Sequence, residues 1–137
     1  MVFPKNTKEV QKIILFAEQN SIPVIPRGAG SSLTAGTVPI HGGIVLVLTR
    51  MDKIIEISTS EMLAVVEPGE TTAELAGSAL KQNLLCPPDP GSKIVSTISG
   101  NVSTSAGGLR GLKYGVTRNY VLGLEIVLGS GEIVRTG

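Results

Sequence analysis

The sequence has one cysteine, one histidine and no tryptophan. A lone cysteine cannot form an internal disulfide, and such thiol usage fits a reducing compartment, so a cytoplasmic location is expected. One histidine and one cysteine give no material for a His/Cys zinc site or a Cys–His catalytic pair, and no metal-binding carboxylate spacing is present. Cys86 stands beside Pro87 and Pro88 with no activating group near it in sequence, and reads as a small packed side chain rather than a nucleophile. Aromatic residues are only 3% of the chain, too few for a base-stacking surface. Twelve Lys and Arg against eleven Asp and Glu leave a formal net charge of +1, with no single-sign field to draw nucleic acid or an anionic membrane. The apolar runs are too short to cross a bilayer, and the start, MVFPKNTKEV, has no apolar signal core. A soluble protein without a transmembrane segment is expected.

What is present is a 137-residue chain, 42% apolar and 17% charged, with 17 Gly and 8 Pro that cluster. That length and composition suit one globular domain with a real core. Asn6 followed by Glu9 predicts a capped helix from about Thr7 to Asn20, with Val10, Ile13, Ile14 and Ala17 on one face. Val24-Ile25 reads as a short strand running into a glycine-rich loop. Ile44 to Leu48 reads as a strand covered on both faces. Ile54–Ile57 and Leu63–Val66 predict a hairpin, and Val121–Leu128 with Glu132–Arg135 predicts another around Gly129-Ser130-Gly131. A second helix is expected from Thr71, capped with Glu74, to near Gln82-Asn83. Strict βαβ alternation fails after Ile44, so the fold class expected is α+β, with two small lobes meeting near Met51.

Two glycine-rich loops carry the candidate chemistry. In the first, Pro26-Arg27-Gly28-Ala29-Gly30-Ser31-Ser32, small residues let backbone N–H groups approach a diphosphate, and Arg27 offers a charge-assisted contact or braces the loop. The residues of this loop alone leave a ligand cradle and a tight structural turn both open. It is not a Rossmann fingerprint, because Leu33 holds the third-glycine position and Pro39 interrupts the helix that should follow; a P-loop lacks its Gly-Lys-Ser/Thr. The second loop, Ser96 to Gly108, is dense in small polar residues. Its stretch Asn101–Ala106 is expected to form one helical turn with N–H groups free at its start.

Seven blocks in order, PKNTKEV, IPVIPRGAGSSLTAG, GGIVLVL, VEPGETTAEL, PPDPGS, STISGNVSTSAGGLRGLKYG and YVLGLEIVLGSGEIV, resemble the PCMH-type FAD-binding domain of the vanillyl-alcohol oxidase and p-cresol methylhydroxylase superfamily. The likeness is strongest to its glycolate oxidase, D-lactate dehydrogenase and 2-hydroxyglutarate dehydrogenase branch, and covers almost the whole chain. It implies that Pro26, Arg27, Gly28, Ala29, Gly30, Ser31, Ser32 and Gly36 cradle the FAD diphosphate. It sets Pro88 and Asp89, then Thr97, Gly100, Thr104, Ser105, Gly107 and Gly108, along the flavin and its phosphates, with Tyr114 and Gly115 near the cofactor. Ser99 and Ser105 depart from the family's usual Gly and Asn. Ser31 stands where covalently flavinylated relatives carry His, which implies noncovalent FAD; His41 is expected to be exposed.

The resemblance implies a flavin-dependent dehydrogenase or oxidase that moves hydride from a 2-hydroxy acid to the flavin. It also implies that residues 1–137 are a C-terminally incomplete domain with lobes of about 1–51 and 52–137. The substrate would be bound only with a cap domain that this chain lacks, so no catalytic residue is assigned and no turnover is expected alone. Some members of the family work with electron-transfer or iron–sulfur partners. The rival readings are the FAD domain of a sugar or lactone oxidase of the same fold, and a noncatalytic binding module.

Overall fold

The computed structural model describes residues 1–137. Helix α1 spans Thr7–Gln19. Asn6 Oδ1 accepts the Glu9 N–H at 2.9 Å, while the Glu9 carboxylate takes the Lys5 N–H at 2.8 Å. The acidic arm of this cap therefore closes one residue earlier than a capping box would. Ala17 is buried, and Val10, Ile13 and Ile14 are half-buried with it, as the helical spacing predicts.

Strand β1, Val24–Arg27, pairs in parallel with β2, Ile44–Val47. β1 is two residues longer than Val24-Ile25, because Pro26 lies on a strand paired on one side only, where a missing N–H is tolerated. Val45, Leu46 and Val47 are buried, and Val2 bonds β2 through Val45 O and the Val47 N–H, both at 2.9 Å. The uninterrupted apolar run of β2 thus has neighbours on both sides.

Strands β3, Ile54–Ser58, and β4, Leu63–Val66, form an antiparallel hairpin with an irregularity between Ile54 and Glu56. Helix α2 runs Thr72–Leu80 behind Thr71, whose hydroxyl accepts the Glu74 N–H at 3.3 Å. It ends before Gln82-Asn83, which belong to the following turn. Helices α3, Ile98–Thr104, and α4, Gly111–Tyr114, precede a 3-10 turn at Thr117–Tyr120. The chain closes with the antiparallel pair β5, Leu124–Val127, and β6, Ile133–Thr136.

That last hairpin returns to the first helix. Thr7 Oγ1 donates to Glu125 Oε1 at 2.6 Å, and Gln11 Nε2 donates to Gly131 O at 2.7 Å. The result is a mixed α+β domain with three two-stranded sheets. Its apolar core is small, comprising Ala17, Val45, Leu46, Val47, Met51 and Ala79. No helix is long and apolar enough to cross a membrane.

Candidate functional site

The first glycine-rich loop leaves the end of β1, with Pro26 and Arg27 still in the strand. The Arg27 side chain folds back over Gly30, and its Nη2 donates to Ala29 O at 3.2 Å. Its Nε is buried and has no hydrogen-bond partner. A buried donor left unpaired costs about 1–3 kcal/mol, more for a charged group. An acceptor brought by an anionic ligand would relieve that cost. Beyond Gly30 the loop opens into solvent: Ser31, Ser32 and Gly36 are exposed. The Ser32 and Thr34 hydroxyls bond each other at 2.8 Å. A Cβ on Gly36 would meet only the Thr34 hydroxyl.

The second loop folds differently from the expected turn at Asn101–Ala106. Its helix, α3, starts three residues earlier because Thr97 caps it, accepting the Gly100 N–H at 3.3 Å. The helix start is not free either. Ile98 N–H donates to Glu70 O at 2.8 Å and Ser99 N–H to Pro68 O at 3.1 Å. The donors expected to face a phosphate are thus spent on the segment before α2, and they fasten the loop to it. At the other end the Thr104 hydroxyl is taken by Gly100 O at 3.0 Å. Ser105 closes the helix in the left-handed region, φ 47° and ψ 51°, and its hydroxyl is buried without a partner.

Two glycine contacts bring the separate segments together. A Cβ on Gly28 would overlap Thr97 Oγ1, so only glycine lets the first loop lie against the cap of α3. A Cβ on Gly108, at φ +136°, would overlap Asp89 O, which sets Gly107-Gly108 against the loop carrying Pro88. The Asp89 carboxylate binds Lys93 Nζ at 2.7 Å and lies 3.7 Å from Arg110 Nε. The Lys93 hydrogen bond and both positive charges hold that carboxyl below its usual range. Tyr114 is the last residue of α4 and Gly115 its cap, and the Tyr120 hydroxyl donates to Tyr114 O.

An open cleft of about 480 Å³ lies beside this junction, lined by Thr97, Gly69 and the carboxylates of Asp52, Glu70 and Glu74 among others. Burial pushes the Glu70 carboxyl up against the opposing Thr71 N–H hydrogen bond, with the Glu74 and Asp52 charges adding to the rise. Three carboxylates make this wall a poor neighbour for a diphosphate. Burial also pushes the Cys86 thiol up, which fits a packed side chain rather than a thiolate. His41 is exposed.

Sequence reading placed Ser96 and Asn101 in the second loop but missed their buried contact with Thr72. Thr72, Ser96 and Asn101 are buried at 1%, 4% and 3% exposure, and the Thr72 hydroxyl bonds both of the others. They lie on α2, on the turn before Thr97 and on α3, and no local pattern announces a contact between residues so far apart in the chain.

Two buried donors without partners, Arg27 Nε and Ser105 Oγ, and two segments meeting at glycine fit a ligand that brings acceptors and lies close to backbone. FAD, with its diphosphate and flat ring, is such a ligand. Comparison with known proteins leads to the same group. The chain is 45% identical over all 137 residues to the glycolate oxidase subunit GlcD of Bacillus subtilis, covering 29% of that protein. It is 43% identical over all 137 residues to the D-lactate dehydrogenase of Anaerostipes hadrus, again covering 29% of it. The chain therefore spans less than a third of the length of these relatives. Among solved structures it matches an alkyldihydroxyacetonephosphate synthase with a TM-score of 0.87 at 25% identity, over 98% of this chain and 25% of that one. The family model of the FAD binding domain matches residues 1–137, end to end, and the chain belongs to that family.

Proposed function

We propose that the site formed by the two glycine-rich loops holds FAD, noncovalently, for the oxidation of 2-hydroxy acids in the cytoplasm. The observation that carries this reading is the contact of Gly28 with Thr97 beside the unpartnered Arg27 Nε. It joins the two loops where a cationic donor still lacks an acceptor. In this reading Arg27 and the N–H groups of Gly28 to Ser32 face the diphosphate. Ser105, Gly107 and Gly108 line the ring side, with Pro88 and Asp89 beside them. Serine at position 31 offers no imidazole for a flavin bond, which supports noncovalent binding. The names of the relatives support the 2-hydroxyacid class.

When bound, FAD would supply the redox chemistry, the acceptance of hydride from the hydroxyl-bearing carbon. The residues of this chain would bind and orient it. We place the boundary between two lobes near Met51, supported by the separate pairing of β1 with β2 and of β3 with β4.

An absorption spectrum of the purified chain before and after denaturation, with FAD titrated by fluorescence quenching, tests this. Flavin released on denaturation, or saturable FAD binding lost in Gly30→Asp, is the expected result. A folded chain with no flavin and no saturable binding overturns the reading in favour of a noncatalytic module.

A further inference from the structure

We infer that Asn101 is a positioning residue for the flavin, acting through Thr72 and Ser96; this rests on the FAD reading of the same site. Asn101 Nδ2 donates to Thr72 Oγ1 at 2.5 Å. The Thr72 hydroxyl lies 3.3 Å from Ser96 O and 3.2 Å from Ser96 Oγ, so it passes a hydrogen bond on to the turn before Thr97. A buried polar cluster whose side chains bond through one hydroxyl favours one arrangement of the elements that meet in it, because a shift there leaves a buried polar atom unpaired.

The backbone of Asn101 stands midway along the second loop. Its N–H bonds Thr97 O at 2.9 Å, and its carbonyl takes the Ala106 N–H at 2.9 Å. Thr97 is the residue that meets Gly28, and Ser105 carries one of the two unpartnered buried groups. Asn101 therefore sits between both ends of the loop and ties them to α2 through Thr72. A site that must hold a flat ring within a few tenths of an ångström depends on such support.

The test compares FAD affinity and the visible circular dichroism of bound flavin in the unsubstituted chain and in Asn101→Leu, Thr72→Val and Thr72→Ser. Val45→Ala, in the β2 core and outside the Thr72, Ser96 and Asn101 cluster, serves as a control for lost stability. All measurements are made below every melting transition. Asn101→Leu and Thr72→Val are expected to weaken FAD binding about tenfold and to change the flavin dichroism. Thr72→Ser keeps the hydroxyl and is expected to restore both. Val45→Ala is expected to melt earlier with unchanged affinity and spectrum.

Affinity that follows melting temperature alike in all variants overturns the inference, as does Thr72→Ser behaving like Thr72→Val. Should Asn101→Leu not fold, the Thr72 pair decides by itself. If the unsubstituted chain binds FAD and the variants match it, only this inference falls. If the folded unsubstituted chain binds none, the FAD reading falls with it.

Discussion

Gly28 lies flush against Thr97, close enough that any side chain on the glycine would run into the threonine hydroxyl. That hydroxyl also caps α3, so the contact and the cap depend on one oxygen. Gly28→Ala is expected to push the loops apart, costing about 1–3 kcal/mol of stability and weakening FAD binding. Thr97→Ala removes the obstructing oxygen but loses the cap, worth about 1 kcal/mol. The double variant should therefore be more stable than the sum of the two single losses. Thermal melts of the four-member cycle check this, and strict additivity counts against the contact.

Arg27 pulls in opposite directions on stability and on binding. Its buried Nε is unpaired, so Arg27→Met should leave the melting temperature of the FAD-free chain unchanged or raise it. The same change should weaken FAD binding about tenfold or more, with a smaller dependence on salt. FAD titrations at two ionic strengths, beside melts without FAD, would expose a purely structural arginine by a drop in stability with affinity intact.

Ser105 invites a similar comparison at the other end of the site. It is a non-glycine residue at φ 47° with a buried, unpartnered hydroxyl. Ser105→Gly relieves the left-handed backbone, and the FAD-free chain should gain about 0.5–1 kcal/mol. FAD affinity should fall, because the hydroxyl is gone. Denaturant titrations with and without FAD separate the two effects, and a variant that gains stability and keeps full affinity removes Ser105 from the site.

Titration gives a prediction with two limbs. Burial raises the Glu70 carboxyl, so the folded chain holds that proton more tightly than the unfolded one. Its influence on stability therefore worsens as pH rises from the ordinary carboxylate value through the raised one. Asp89 and Glu125 are lowered, the first chiefly by Lys93 and the second chiefly by its hydrogen bonds from Thr7 and Arg135. They stabilise above their ordinary values, and that stabilisation is lost as pH falls through the lowered ones. Glu70→Gln should raise the melting temperature near neutrality and leave the acid limb unchanged. Melts between about pH 3 and pH 7 check both limbs; an unaltered neutral plateau would contradict the burial effect.

The elements that the sequence revealed are those whose signals are local. Asn6 with Glu9 announced α1, alternating turns and apolar runs announced both later hairpins, and Gly28 to Gly30 announced a loop. The beginning of α3 escaped because its cap, Thr97, is fixed by a bridge to Thr71, and the N–H groups of Ile98 and Ser99 by the carbonyls of Glu70 and Pro68. Such partners are invisible to a window of neighbouring residues. The same reason hid Thr72, Ser96 and Asn101, whose polarity alone reads as surface but which the fold buries together. Arg27 was legible as a candidate, whereas the isolation of its Nε could be learned only from the packing around it.

The two walls of the site differ in how firmly the backbone is held. α3 is tied at its start to the carbonyls of Glu70 and Pro68, while the segment from Gly28 to Gly43 has no helix or strand and is mostly exposed. Hydrogen exchange should accordingly be slow at Ile98 and Ser99 and fast along that segment. In the proposed site FAD would meet one prepared surface and one less firmly held, so association should carry an entropic penalty concentrated in the first loop. Stiffening that loop would tighten binding without adding a single contact.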